Sequence, residues 1–398
     1  MDDAVHHAKA LQKQLPLIDG HNDIAFQYML QASLNLSNID IAQHQPGLHT
    51  DIPRLREGGV GGQFWSAYVP PSGQGERDVQ GTIWQIDLIH NMASRYPDTF
   101  KMALTADDVE DAHDGGRIGS IIGIEGGHLI NNSLATLRIF YELGARYMTL
   151  AHFKNTPWAD SATDTPRANG LTNFGREVVR EMNRLGMLVD LSHVSPATMN
   201  DALDVTEAPV IYSHSSARAL TDVPRNVPDV VLKRLPGNGG VVMVAFVPFF
   251  VTKEEPNFVP PPMAGASEGP EAVVASLKRW LEENPPPQTT LADVADHIDH
   301  IRDVSGIDHV GLGSDFDGMP SHETVPQGLE DVSKYPMLVA ELVRRGYSDE
   351  DVLKVMGGNV LRVMRGAEDA ASDLRQGRRP SEATIEELDG ERPPPSAG

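Results

Sequence analysis

Five side chains that can bind divalent metal ions each lie at or just after the end of a short apolar segment of this chain. They are His21, Asp23, Glu125, His193 and His214. A charge at the end of an apolar segment is costly to bury unless it is paired, and Glu125 alone could be explained by a helix cap or an arginine partner. Five such residues after successive segments instead favour a metal centre. Because the chain has no cysteine, imidazole and carboxylate ligands indicate zinc or a similar divalent ion.

The spacing of these residues suggests two metal ions. His21 and Asp23 are two residues apart, so an extended backbone directs both side chains to one metal; a polar turn is the alternative for this pair. His193 and His214 would hold a second metal, with Glu125 giving one oxygen to each ion. Two ions about 3.5–4 Å apart lower the pKa of a shared water and polarise a substrate carbonyl. The sequence therefore predicts two divalent ions per chain, zinc or a similar metal, and a metal-bridging hydroxide as the nucleophile.

The segments that carry these residues alternate between strands and helices. Eight apolar runs have the length and composition of buried parallel strands, and they cover residues 15–19, 63–69, 118–124, 146–151, 187–191, 209–212, 240–246 and 309–313. Helical segments separate them, which is the pattern of a (β/α)₈ TIM-type barrel. The carboxyl ends of the strands form the catalytic face of such a barrel, and all five candidates fall there. His128, three residues beyond Glu125, is expected in a loop and not at a metal.

A long insertion follows the seventh predicted strand. Residues 248–287 contain two Pro-Pro-Pro runs that flank one helical piece, and loops of this length are usually lids or binding loops. We expect residues 1–366 to form a single catalytic barrel domain. Residues 367–398 are charged and proline-rich, and we expect them to form a weakly packed or disordered tail.

The composition argues against several partners. The formal net charge of −23 disfavours nucleic acid and anionic membrane surfaces, because both are bound through basic patches. The first residues lack the basic start and apolar core of a signal peptide. The longest apolar run, residues 239–251, is too short to cross a bilayer. We therefore expect a cytoplasmic protein with no nucleic-acid and no membrane partner.

Eight short motifs follow one another between residues 17 and 365. They are Asp19-Gly20-His21-Asn22-Asp23, Gly123-Ile124-Glu125-Gly126-Gly127, Asn155-Thr156-Pro157-Trp158-Ala159-Asp160, Asp190-Leu191-Ser192-His193, Ser213-His214-Ser215-Ser216, Arg225-Asn226, Gly313-Ser314-Asp315-Phe316-Asp317-Gly318 and Gly357-Gly358-Asn359. In this order they resemble the membrane (renal-type) dipeptidases of peptidase family M19, which are binuclear zinc enzymes related to the amidohydrolases. With no cysteine and no recognisable signal or anchor segment, the chain looks like the soluble bacterial branch of that family.

The resemblance implies roles for three further residues. His152 would hydrogen-bond the substrate carbonyl oxygen as it becomes an oxyanion, and Arg225 would clamp the terminal carboxylate. Asp315 would take a proton from the bridging water and pass it to the leaving amine. Asp317 is a rival for that role, although Asp315 is nearer the strand end and matches the family's position. The implied substrate is a small dipeptide, including L-Xaa-D-Xaa types, and a homodimer is a candidate state because family members are often dimers.

Two other functions are compatible with these residues. Another metal-dependent hydrolase on the same barrel, such as a lactonase, phosphoesterase or deaminase, would not depend on a carboxylate clamp. Replacement of Arg225 therefore distinguishes such an enzyme from a dipeptidase. A catalytically silent binding protein that keeps the barrel is disfavoured, because all five metal-ligand candidates are present.

Overall fold

The computed structural model describes residues 3–254, 270–318 and 324–390. Within these residues the chain forms nine strands. They are β1 (Leu17–Asn22), β2 (Val60–Ala67), β3 (Phe100–Met102), β4 (Ile118–Ile124), β5 (Ala145–Thr149), β6 (Leu188–Asp190), β7 (Ile211–Tyr212), β8 (Val241–Val244) and β9 (Val310–Leu312). All their pairings are parallel.

Eight of these strands close into a barrel in the order β1, β2, β4, β5, β6, β7, β8 and β9, with β9 again beside β1. The pairing of β2 with β4 runs without a break from Gly62 opposite Gly119 to Ala67 opposite Ile124. Each of the eight overlaps a predicted strand, so the predicted (β/α)₈ barrel is confirmed. The ninth strand, β3, is not among the predicted strands, and within the described residues it pairs with residues 118–120 of β4 alone.

Helices connect the strands and surround the barrel. They are α1 (Asp3–Leu11), α2 (Ile24–Ala32), α3 (Ile52–Glu57), α4 (Gly75–Arg95), α5 (Ala106–Asp114), α6 (Leu134–Glu142), α7 (Asn173–Leu185), α8 (Pro196–Val205), α9 (Asp229–Leu232), α10 (Leu235–Asn238), α11 (Pro248–Val251), α12 (Pro270–Glu283), α13 (Leu291–Ser305), α14 (Tyr335–Arg344), α15 (Asp349–Leu353), α16 (Asn359–Gly377) and α17 (Ile385–Asp389). Short 3₁₀ turns cover Gly127–Ile130, Ile307–His309 and Val332–Lys334, and a π-helical turn covers Lys354–Gly358. Among the described helices, none is both long enough and apolar enough to cross a lipid bilayer.

Capping residues set the ends of the helices near the site. The Ser195 hydroxyl accepts a hydrogen bond from the Thr198 backbone N at 3.2 Å, and Pro196 occupies the first position of α8; serine before a helix and proline at its first position both favour a helix start. Helix α7 ends at Gly186, whose φ of 86° is left-handed and therefore favours glycine. These caps fix where the chain enters and leaves β6.

One glycine of the barrel wall makes room for a side chain that reaches the site. Gly123 on β4 is paired with Tyr147 on β5, and a Cβ at Gly123 would collide with the tyrosine ring. The missing side chain lets the ring fill the barrel interior. The Tyr147 hydroxyl then lies 2.8 Å from Nδ1 of His21. A glycine on β4 therefore helps to position a ligand candidate on β1.

The segment after β8 carries two helices at the catalytic face. Both α11 and α12 fall within the predicted insertion 248–287, and α12 is its helical piece. Residues 255–269, which include the first proline run of the insertion, lie outside the described residues. Leu277 of α12 belongs to an apolar cluster with Phe26 and Tyr68. Since these two residues follow the carboxyl ends of β1 and β2, α12 packs at the mouth of the barrel.

The described part of the predicted tail packs on the barrel. Helix α16 continues through residue 366, and Ala371 on it is fully buried. Further along, the Asp389 carboxylate accepts a hydrogen bond from the Thr172 hydroxyl at the start of α7, at 2.5 Å. The expected weak packing is therefore wrong here, because apolar burial and a capping carboxylate hold these parts in place. The division of the chain at residue 366 stays a prediction, and residues 391–398 lie outside the described residues.

Candidate active site

The parallel strands bring all five predicted metal ligands to the carboxyl end of the barrel. His21 is the penultimate residue of β1, and Asp23 follows that strand directly. Glu125 comes directly after β4, while His193 and His214 stand in the loops after β6 and β7. All five are buried, with at most 4% of each residue exposed. Residues that are far apart in the sequence therefore form one buried cluster.

Glu125 lies at the centre of this cluster. The Nε2 atoms of four imidazoles surround its Oε1, at 3.2 Å (His193), 3.4 Å (His152), 3.4 Å (His214) and 3.5 Å (His21). Its Oε2 accepts a hydrogen bond from the Ser66 hydroxyl at 3.2 Å. Burial alone would raise the pKa of Glu125, but the neighbouring imidazoles, above all His21 and His152, bring it well below its usual value. The carboxylate is therefore ionised.

Three sets of side chains bring ligand atoms within 4.8 Å of one another. They are His21, Glu125 and His214; Glu125, His152 and His193; and His21, Asp23 and Asp315. Glu125 belongs to two sets, which suits a bridging ligand, and His21 and Asp23 occur together. Among the described residues His193 and His214 do not share a set, although their Nε2 atoms are 2.9 Å apart. The assignment of each histidine to one ion stays a prediction.

The donor atoms of the cluster fit a metal centre. His21 Nε2 and Asp23 Oδ1 are buried and have no hydrogen-bond partner among the described residues. A buried polar atom without a partner costs about 1–3 kcal/mol. Divalent cations bound by imidazole nitrogens and carboxylate oxygens would remove this cost.

A chain of hydrogen bonds sets the tautomer of His214. The Ser213 hydroxyl donates to Asp190 Oδ2 at 2.7 Å and lies 2.8 Å from His214 Nδ1. Because the hydroxyl has a single proton, its oxygen accepts from Nδ1–H, and His214 Nε2 keeps its lone pair. Partners of this kind orient metal-binding histidines. Asp190 is not among the residues with a predicted role, although its place at the end of a buried strand is a sequence signal for it.

Asp19 connects the first and last strands of the barrel. Its carboxylate accepts hydrogen bonds from the Ser314 backbone N and hydroxyl, both at 2.7 Å, and from His21 N at 3.3 Å. Burial raises the pKa of Asp19, while the hydrogen bonds from Ser314 and Gln63 oppose this. Asp19 therefore holds the loop that carries Asp315 beside the strand that carries His21.

The loop after β9 brings Asp315 to the cluster and directs Asp317 elsewhere. Both residues have left-handed backbones, with φ of 66° and 65°. Burial raises the pKa of Asp315 well above its usual value, and Asp23 adds to this while His21 opposes it. Asp317 Oδ1 accepts a hydrogen bond from the His49 backbone N at 2.7 Å, and burial raises the pKa of Asp317 to about 7. The fold therefore separates two carboxylates that are rivals in the sequence.

Arg225 is a buried cation next to the ligand cluster. Only 1% of the residue is exposed, its guanidinium donates to His214 O at 3.0 Å and to Ser215 Oγ at 3.3 Å, and its Cζ lies 4.9 Å from the centre of the Phe250 ring. No carboxylate of the described residues pairs with it, and its Nε has no described partner. Burial lowers the pKa of Arg225 to about 10, so it remains charged at neutral pH. Such a guanidinium is suited to bind an anion.

His152 and Tyr68 form one side of the cluster. The His152 ring lies 4.1 Å from the His193 ring and 4.5 Å from the Tyr68 ring. The Tyr68 hydroxyl is buried without a described partner, and burial, followed by Glu125 and Asp23, raises its pKa well above the usual value. Tyr68 is therefore a protonated donor beside the site. Tyr68 is not among the predicted site residues, although it stands just after β2 and its position at a strand end is the same signal that identifies the others.

His128 lies outside the three ligand sets. It is in the short 3₁₀ turn Gly127–Ile130, and its Nε2 lies 3.0 Å from the carbonyl oxygen of Val69. Burial lowers the pKa of His128 to about 4. It is therefore a neutral histidine that donates to the backbone.

A cavity that is open to solvent adjoins the cluster. Its charged and imidazole lining residues are Asp23, Glu125, His152, His193, Arg225 and Asp315. Its aromatic lining residues are Phe26, Tyr68, Phe153, Phe249, Phe250 and Trp280. The cavity therefore combines a polar, metal-binding region with a large apolar surface.

Comparison with known proteins identifies relatives over nearly the whole chain. The family model for membrane dipeptidase, peptidase family M19, matches residues 5–378. Dipeptidase tcpJ of Claviceps purpurea (strain 20.1) is 45% identical over 368 residues, which are 90% of this chain and 78% of that protein.

Solved structures share the same architecture. The probable dipeptidase PvdM from Pseudomonas aeruginosa has a TM-score of 0.80 at 24% identity, with 93% of this chain and 99% of that chain covered; this likeness concerns the fold alone. A metallo peptidase from Rhodobacter sphaeroides, liganded with a phosphinate mimic of the dipeptide L-Ala-D-Ala, has a TM-score of 0.73 at 27% identity, with 89% and 99% covered.

Proposed function

The chain belongs to the membrane dipeptidase family, peptidase family M19, and is a dipeptidase of that family of metallopeptidases; we propose that it uses two Zn²⁺ ions and that its substrates include L-Xaa-D-Xaa dipeptides. The observation that carries the proposal is the position of a buried guanidinium, which no carboxylate of the described residues pairs with, next to a buried cluster of imidazoles and carboxylates. The guanidinium could bind a free carboxylate of the substrate, and the cluster could bind the metal ions that activate the adjacent amide.

The two ions would be held by the five predicted ligands. His21, Asp23, Glu125, His193 and His214 supply imidazole and carboxylate donors, and the unpartnered atoms of His21 and Asp23 support this assignment. When bound, two such ions lower the pKa of a water molecule and polarise a carbonyl group. Because zinc accepts both donor types, it is the metal we propose.

Arg225 would orient the substrate. Its guanidinium is already fixed by the His214 carbonyl and the Ser215 hydroxyl, so little side-chain freedom is lost when it pairs with the terminal carboxylate. The same contacts place it next to the metal-ligand cluster. A dipeptide bound through this carboxylate would have its single peptide bond near His152 and Asp315, and a longer peptide would have its cleavable bond elsewhere.

His152 would stabilise the developing negative charge, and Asp315 would transfer the proton. The His152 imidazole would donate a hydrogen bond to the carbonyl oxygen as negative charge develops there, which is worth a few kcal/mol of barrier. The Asp315 carboxylate would take a proton from the attacking water and give it to the amine nitrogen of the leaving residue. The position of Asp315 in the cavity lining, beside His21 and Asp23, supports this role.

A D-residue at the carboxyl-terminal position is supported by one relative. The structure of the Rhodobacter sphaeroides metallo peptidase contains a phosphinate mimic of L-Ala-D-Ala, and a phosphinate resembles the tetrahedral species of peptide hydrolysis.

The homodimer and the cytoplasmic location stay predictions from the sequence.

Hydrolysis of capped and uncapped dipeptides tests the proposal. Zinc-loaded protein should release alanine from L-Ala-D-Ala and from L-Ala-L-Ala, while L-Ala-D-Ala amide should be a much poorer substrate because it lacks the carboxylate that Arg225 binds. Equal turnover of the amide and the free acid, or turnover of lactones in place of dipeptides, would contradict the proposal and favour another hydrolase on the same barrel.

A further inference from the structure

Helix α12 presents a continuous apolar face toward the barrel. Val273, Leu277 and Trp280 are 2%, 8% and 6% exposed, and their spacing of four and three residues places them on one side of the helix. Val274, on another side, is 42% exposed. Helix α12 is therefore held against the catalytic face by this apolar side.

That face forms part of the substrate cavity. The α12 residues that line the cavity are Leu277, Trp280 and Leu281, all of them apolar. Within the described part of the helix, charged residues such as Lys278 and Arg279 do not line the cavity. An apolar side chain of a ligand can therefore be buried against α12 without removing a charge from water.

Aromatic side chains that line the cavity lie near both Arg225 and this helix. The Arg225 guanidinium carbon lies 4.9 Å from the centre of the Phe250 ring. The next residue back along the chain, Phe249, has its ring centre 5.6 Å from that of Trp280. In a dipeptide whose carboxylate binds Arg225, the side chain of the carboxyl-terminal residue branches from the atom next to that carboxylate. This side chain would consequently lie in the part of the cavity lined by Phe249, Phe250 and Trp280.

We propose that Trp280 makes the enzyme selective for dipeptides with a large apolar side chain on the carboxyl-terminal residue. The inference rests on the proposed dipeptidase function and on the carboxylate role of Arg225. A glycine or alanine at this position leaves the aromatic surface in contact with water, whereas an aromatic side chain buries it. Apolar pockets discriminate by about 10- to 200-fold for small differences in side-chain size, so a preference of at least about tenfold is expected.

The test compares kcat/KM for L-Ala-Gly, L-Ala-L-Phe, L-Ala-D-Phe and L-Ala-L-Glu with zinc-loaded full-length protein of verified metal content. At least one phenylalanine peptide should exceed the glycine and glutamate peptides by about tenfold or more. Trp280→Ala should remove most of this preference, and Trp280→Phe should keep most of it. Val274→Ala, a substitution on the exposed side of the same helix, should leave the preference unchanged.

The outcomes separate this inference from the function on which it rests. If none of these peptides nor L-Ala-D-Ala is hydrolysed, the dipeptidase proposal fails and the inference fails with it. If dipeptides are hydrolysed without the preference, or if the folded Trp280→Ala and Trp280→Phe proteins both keep it in full, only the inference is overturned. Thermal unfolding of each variant shows whether it is folded.

Discussion

The Nε2 atoms of His193 and His214 lie 2.9 Å apart in the buried end of the barrel. The Ser213 hydroxyl, which donates to Asp190, assigns the ring proton of His214 to Nδ1. Its Nε2 is therefore an acceptor, and it faces another imidazole nitrogen. With its lone pair directed at this point, His214 could bind a divalent cation together with Glu125, whose Oε1 lies 3.4 Å from the same nitrogen.

Metal removal is therefore expected to destabilise the protein. A chelator should lower the melting temperature, and added zinc should restore it, because a ligand at a thousandfold excess over its Kd stabilises the folded state by about 4 kcal/mol. Metal analysis should find two ions per chain in the native protein and fewer in His193→Ala. His128→Gln, which changes a histidine outside the ligand sets, should keep both ions. An unchanged melting temperature after complete chelation would count against a structural metal centre.

Replacement of Arg225 should weaken the binding of substrates with a free carboxylate. Hydrogen bonds to a charged group contribute about 1.5–3 kcal/mol, so Arg225→Met should raise KM by about 10- to 150-fold. Arg225→Lys should recover only part of the loss, since the lysine ammonium lacks the planar, two-pronged geometry. Steady-state kinetics on L-Ala-D-Ala measures KM for the wild-type protein and for both variants. A KM within twofold of the wild-type value in Arg225→Met would show that the carboxylate binds elsewhere.

Replacement of Asp315 should reduce kcat and leave metal binding intact. Loss of a general acid–base group typically costs about 100- to 10,000-fold in rate, so we expect Asp315→Asn to lower kcat within this range. Asp317→Asn is the matched control and should change kcat by only a few-fold, because Asp317 is turned toward His49. Asp315 is also close enough to His21 and Asp23 to bind the same metal ion. If Asp315→Asn loses metal in proportion to activity, Asp315 is a ligand and not the proton carrier.

Glu181 holds the C-terminal segment on α7. Its carboxylate accepts hydrogen bonds from Arg184 at 2.8 Å, from Arg138 at 3.0 Å and from the Ser381 backbone N at 3.3 Å. Burial alone would raise the pKa of Glu181, but these hydrogen bonds hold it below the usual 4.5. A carboxyl group with a lowered folded-state pKa stabilises the fold above its unfolded-state pKa. This stabilisation is lost as the pH falls through the folded-state value.

Glu181→Gln should therefore lower stability near neutral pH and have a smaller effect in acid. At pH 7 we expect a loss of about 1–3 kcal/mol in the free energy of unfolding, since a charged hydrogen-bond acceptor is removed. The difference from wild type should shrink as the pH falls below about 4.5. Melting curves between pH 7 and pH 3 measure this, with Glu177→Gln, a partly exposed neighbour on α7, as the control. A difference that is the same at pH 7 and pH 3 would exclude this role for Glu181.

The barrel and its ligand cluster could be predicted because they depend on short-range patterns. Each apolar run is long enough to identify a buried strand, and parallel strands that are joined by helices must place their carboxyl ends on one face. The position of Glu125 after one run and of His214 after another therefore implies that they meet. The strand β3 has only three residues, two of which are partly exposed, so no apolar run marks it.

Other features depend on contacts between distant parts of the chain. The choice between Asp315 and Asp317 follows from two left-handed residues in one loop, a backbone conformation that residue types alone do not specify. The packing of Leu277 on Phe26 and Tyr68 joins residues from the insertion to the first two strand ends. The composition of residues 367–390 predicts weak packing on the barrel. The hydrogen bond from Thr172, at the start of α7, to Asp389 is a tertiary contact that composition does not reveal.

The most direct test of the central claim is a dipeptide-library screen on protein loaded with two zinc ions per chain, with Asp315→Asn as the blank. The wild-type protein is predicted to release free amino acids from several dipeptides, L-Ala-D-Ala among them, and the variant to release almost none. A protein that holds two zinc ions and cleaves no member of the library would contradict the assignment.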